Sequence, residues 1–147
     1  MSNSAHIGIR SAIKALLLAA PALAGGRVVA NRRRPMAAQD ATQVFVYLED
    51  AVATRGEIYG APTDWRTRIR IECVARDTAG IDADSNADAL QTLVAARLLT
   101  PGALGLLVSD IELQAIAWTE DEADTTVSAC QAIYSAGNRT SGNVITA

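Results

Sequence analysis

The sequence predicts an α+β domain, a mixed or antiparallel β-sheet of about four to five strands with helices packed on one face. Three observations carry this. Residues Trp65 to Arg76 alternate between mostly apolar and mostly charged positions, two stretches place apolar residues at helical spacing, and two apolar runs near the C-terminus flank a short acidic turn. The 147 residues, 50% hydrophobic and 20% charged, suit a single domain with one core, and the expected domain is the whole of residues 1–147.

The first helix is expected from Ser4 to about Ala20, where Ile9, Ile13, Leu16, Leu17 and Ala20 form an apolar stripe, with Pro21 and Gly25-Gly26 ending it. The run LLLAAPALA at 16–24, following Arg10 and Lys14, also has the outline of a signal peptide; its helical spacing favours a structural helix. It is too short to span a membrane. Arg27 to Ala30 reads as a short strand and Arg32-Arg33-Arg34-Pro35 as the start of a loop. Val44 to Leu48, apolar on both faces, reads as a strand central in a sheet, followed by a polar connection from Glu49 to Pro62.

The long strand from Trp65 to Arg76 follows. Trp65, Thr67, Ile69, Ile71, Cys73 and Ala75 point one way; Arg66, Arg68, Arg70, Glu72 and Arg76 point the other. Gly80 breaks the chain, and Asp82 or Asp84 caps a helix buried through Ala87, Leu90, Leu93, Val94, Ala95 and Leu98. Thr100-Pro101-Gly102 stops it. Strands at about Ile111–Thr119 and Thr125–Ser135 make an antiparallel hairpin around Glu120 to Asp124, and a polar, mobile tail is expected over 137–147.

The residues for catalysis are scarce. His6 is the only histidine and precedes the settled part of the first helix, which removes histidine triads and multi-histidine metal sites. Cys73 and Cys130 sit in apolar runs without a neighbouring base and read as buried, reduced thiols. Neither Asp82-Ala83-Asp84 nor the 120–124 turn has the order of a calcium loop. Asn138-Arg139-Thr140 matches a glycosylation sequon by chance unless the protein is secreted. No enzyme activity, cofactor or metal is expected.

Interaction surface remains. The net charge of −3 argues against a dedicated nucleic-acid binder, yet arginine supplies all the cations except Lys14, which suits fixed, partly dried protein contacts. Arg66, Arg68 and Arg70 form a basic row without an evident local partner, and Glu120, Asp121, Glu122 and Asp124 form a single-signed acidic turn. The expectation is that the row of one copy meets the turn of the next, since a head-to-tail contact uses two different surfaces. Arg32, Arg33 and Arg34 are a second basic cluster, either at an interface or facing DNA; the Arg66–Arg70 row shares that alternative, and ordinary solvated salt bridges are the plain one.

The stretches APALAGGRVVANRRRP at 20–35, VFVYLEDA at 44–51, WRTRIRIECVARD at 65–77, DADSNADAL at 82–90 and DIELQAIAWTEDEAD at 110–124 occur in an order that resembles the tail terminator proteins of siphophages. The resemblance spans most of the chain and contains no catalytic fingerprint. It implies a mixed sheet flanked by helices, a homo-oligomeric, hexameric ring at the head-proximal end of the tail tube, and a neck location in the virion. The implied partners are the tail tube protein, the head–tail connector protein and, transiently, genomic DNA in the lumen; no membrane is involved. A head–tail connector or other neck component is the alternative within phage structure, and a small stand-alone binding module the alternative outside it.

Overall fold

A computed structural model of the chain describes residues 3–30, 36–56, 58–121, 124, 126–142 and 144–146. Helix α1 covers Ala5–Leu18. Ser4 stands at its N-cap, where Oγ accepts from the Ile7 N–H at 3.4 Å. The 9-13-17 spacing turns Ile9, Ile13 and Leu17 into the core. The helix ends at Leu18, so the glycine pair does not cap it. Gly25 and Gly26 lie seven and eight residues further on, at φ +61° and +86°, in a tight 3-10 turn that reverses the chain into strand β1, Val28–Val29.

Strand β2 runs Thr42–Arg55 and β3 Thr63–Arg76. The polar connection expected from Glu49 is instead the second half of β2. It pairs with β3 down to Arg55↔Thr63, with a bulge at Glu49. Helix α2, Ala83–Leu98, has Asp82 at its cap position, while the capping bond comes from Asp77 Oδ1, which accepts the Ala83 N–H at 2.6 Å. Strands β4, Asp110–Glu120, and β5, Val127–Thr140, close the domain as a hairpin. The polar tail expected from Gly137 therefore begins later. Gly137 to Thr140 continue the β5 ladder, pairing down to Thr63↔Thr140.

The sheet order is β1-β2-β3-β5-β4. β1 pairs parallel with β2, and the other three pairings are antiparallel. The architecture is thus the expected α+β arrangement, a five-stranded mixed sheet with α1 and α2 on one face. Ile69, Ile71 and Cys73 of β3, Ala132 and Tyr134 of β5, and Val44 and Val46 of β2 face Leu90, Val94 and Leu98 of α2 and the α1 stripe. Phe45 points to the opposite face, where Met36, Val74 and Val127 bury it. That local cover explains why Val44 to Val46 are apolar on both sides although only two residues of β1 lie outside them.

A polar side chain of α2 is built into this core. Gln91, 2% exposed, donates through Nε2 to the Ile71 and Cys130 carbonyls, both at 3.0 Å, and accepts from Tyr134 Oη at 3.3 Å. It fastens α2 to neighbouring strands with its polar atoms satisfied. Arg97 closes the other end of the helix layer by donating to the Leu16, Leu17 and Ala19 carbonyls at the end of α1.

Candidate interaction surfaces

The histidine and the two cysteines are each held in the fold. His6, in the first turn of α1, places Nδ1 2.9 Å from Thr67 Oγ1, whose own proton goes to Asn138 Oδ1 at 2.9 Å. His6, Thr67 and Asn138 thus form one hydrogen-bonded chain, which holds the imidazole against the sheet. Its ring meets Trp65 edge-on with centroids 4.8 Å apart, and burial lowers its pKa. Cys73 and Cys130 are free, buried and directly opposite in the β3–β5 register. Burial, first, and the neighbouring thiol push the Cys73 pKa well up, and burial with Asp88 nearby raises Cys130 to about 11. Among the described residues no group of three His, Cys, Asp or Glu side chains is placed to hold a metal ion, and no helix is long and apolar enough to cross a membrane. Asn138 of the sequon is 6% exposed, inside β5.

The arginine row lies on the sheet face opposite the helices, and its members are partnered within the chain. Arg66 reaches across β5 to β4, where Nη1 lies 2.8 Å from Asp110 and Nη2 3.0 Å from Glu112. Arg68 makes a two-pronged pair with Asp50 of β2 at 2.7 and 2.6 Å. Arg70 stacks over the Tyr47 ring, 4.5 Å from its centroid, with Nε 3.1 Å from Glu49 but out of line for a hydrogen bond. Arg139 and Asp64 extend the ladder at 2.6 and 3.1 Å. The expected absence of local partners is corrected here. The carboxylates come from β2 and the start of β4, where Asp110 and Glu112 stand two residues apart on one side of the strand. Hydrogen bonding from Arg66 holds Asp110 below the usual carboxylate range, and Arg68 does the same for Asp50. These pairs are exposed to solvent, so they orient the side chains more than they stabilise the fold.

The acidic turn lies at the other end of the strands, because Glu120 pairs with Ser128 and Ser128 with Ala75. The arginine that reaches it is Arg76, 3.0 Å from Asp124, whose Oδ1 also accepts from the Thr126 N–H and hydroxyl. Asp121 donates its backbone N–H to the Val127 carbonyl, and Glu120 is exposed at the end of β4. Glu122 and the cluster Arg32, Arg33 and Arg34 lie outside the described residues.

One feature was not singled out from the sequence. Strand β4 ends the sheet, and ten of its eleven residues are exposed, so it belongs to the surface rather than the core. On its helix-side face Leu113, Ile116 and Trp118 are 40, 40 and 53% exposed. The Trp118 indole N–H donates to Asp88 of α2 at 3.0 Å. Ile111, Leu113, Ile116 and Trp118 share a face because a bulge between Leu113 and Ala115 breaks the simple alternation, and a sequence does not say whether a layer covers such a face.

No protein-family model and no curated protein sequence matches the chain. Among solved structures, its fold is similar to that of a chain in the virion of a native gene transfer agent particle. The TM-score is 0.65 at 15% identity, and the match covers 89% of this chain and 94% of that one.

Proposed function

We propose that this chain is a structural component of a phage-like virion and acts as its tail terminator. It sits as a ring on the head-proximal end of the tail tube, stops tube growth and forms the joint to the head. The observation that carries the reading is the likeness to a virion chain, which runs through nearly the whole of both chains and so concerns the complete domain. The surfaces agree with a structural role. The two thiols are buried, the single imidazole is hydrogen-bonded to Thr67, and the apolar side chains Leu113, Ile116 and Trp118 of the edge strand are uncovered and suited to another protein surface.

Within this reading the Arg66–Arg70 ladder and the 120–124 turn remain interface candidates, the ladder as a pre-paired surface that a neighbour would exchange or extend. The test is genetic. Removing the gene from its phage or phage-like element should give tubes of uncontrolled length that do not join heads. Tubes of normal length without heads would assign the chain to another neck component, and normal particles would remove it from the neck altogether.

A further inference from the structure

The four long strands leave the sheet open at both ends. β4 has no strand on its outer side among the described residues. Among the described residues β1 pairs only with Val44 and Phe45, and no strand lies outside Val46 to Arg55 of β2. An open edge presents unpaired N–H and C=O groups to any strand of suitable direction. Here the directions are complementary. β2, β3, β5 and β4 alternate along the sheet, so β4 of one copy and β2 of an identically oriented neighbour run antiparallel. The centre of β4, from Leu113 to Thr119, is uncharged and contains no proline or lysine, the residues that ordinarily guard an edge.

The helix layer carries a matching pattern of charge. α1 lies at the β1–β2 end and bears Arg10 and Lys14, one helical turn apart, with no carboxylate in the helix. α2 lies over β3 and β5, reaches β4 through the Trp118–Asp88 bond, and bears Asp84 and Asp88 at the same spacing. Like charges at this spacing oppose each other within a helix. Among the described residues neither cation pairs with a carboxylate and neither of these aspartates pairs with a cation.

We infer that copies of this chain join edge to edge, β4 of one against the open half of β2 of the next, with Asp84 and Asp88 beside the neighbour's Arg10 and Lys14. This rests on the ring reading above and names the contact that closes it. Leu113, Ile116 and Trp118 become covered by the neighbour, and the alternating strand directions continue across every joint. The two contact surfaces differ, as head-to-tail closure requires.

Lys14 is the only lysine, which makes the test sharp. A carbodiimide couples amines to carboxylates in contact, and mixing isotope-labelled with unlabelled protein separates links between chains from links within one. The assembled protein should give an inter-chain link from Lys14 to Asp84 or Asp88. Ile116→Lys, at a position already exposed, should raise the concentration for half-assembly at least tenfold while circular dichroism stays native. Lys14→Glu should weaken assembly, and Asp88→Lys in the same chain should recover at least part of the loss. An assembly in which Lys14 links only within its own chain or to other carboxylates, and which tolerates Ile116→Lys, overturns this contact and leaves the ring standing. A protein that stays monomeric at every concentration, alone and with tail tubes, overturns both.

Discussion

Arg66 reaches Asp110 by crossing directly over Gly137, which pairs with both residues in the sheet. A Cβ at Gly137 would collide with Asp110 Oδ1 and stand 2.8 Å from both Arg66 Nη1 and Ser109 Oγ. The glycine is therefore part of the ion pair, keeping open the strand's width that the guanidinium must span.

Gly137→Ala should displace these side chains without unfolding the sheet, since what it meets are flexible side-chain ends. The expected loss is about 1 kcal/mol or less, the range of exposed pairs. The sharper readout is the Asp110 carboxyl, whose pKa should rise toward the ordinary value once Arg66 moves away, measured by NMR titration. An unchanged titration would mean the Arg66 bond is not what lowers it.

The core should be far less tolerant. Ile71 is fully buried between the sheet and α2, and Ile71→Asp would place an unpaired charge there, so the variant should fail to fold. Tyr134→Phe removes the bond to Gln91 and leaves a buried acceptor short of a donor, at a cost of about 1–3 kcal/mol in denaturant melts. Soluble, native Ile71→Asp protein would show that the strand presents its other face to the helices.

Alkali should loosen the fold through the thiols. Cys130 has its pKa raised to about 11 from an ordinary value near 9, and Cys73 is raised further. The unfolded chain therefore releases these protons first. The thiols' contribution is fully present below pH 9 and is lost as pH climbs toward 11 and beyond. Urea midpoints should fall over that range, and less so in Cys130→Ala. Native protein should resist alkylation, while the unfolded chain should label two cysteines without reductant.

Acid should act through His6. Its pKa is lowered by burial, so below about 6.5 the unfolded chain binds a proton that the folded chain resists. Stability should fall as pH drops from 7 to 5, in addition to the later loss from carboxylates such as Asp110 and Asp50. His6→Asn should flatten the first part of that profile. An equal slope in wild type and variant would show that His6 is not responsible.

Much of this architecture was legible in the residues. The alternation of β3 gave its two faces, and the 9-13-17 and 87-90-94-98 spacings gave most of the buried sides of α1 and α2. Leu93, expected in the buried face of α2, is instead 53% exposed, and Ala20 lies exposed beyond the end of α1. What could not be read was pairing at a distance. Glu49 and Asp50 looked like loop residues because charge breaks the apolar pattern of β2, yet they neutralise arginines on the next strand. Asp110 and Glu112 lie 44 and 46 residues from Arg66 and meet it only because β5 inserts between β3 and β4. Nor does the pattern of β4 tell a covered face from a bare one, so its exposed Trp118 and Ile116 emerged only with the fold.

The most direct measurement of the central claim is the position of this chain in the particle. A gold label on its C-terminus, viewed by electron microscopy in intact virions and isolated tails, should mark a single band at the head-proximal end of the tube. Label spread along the whole tube, at the distal tip, or absent from the particle would contradict a tail terminator.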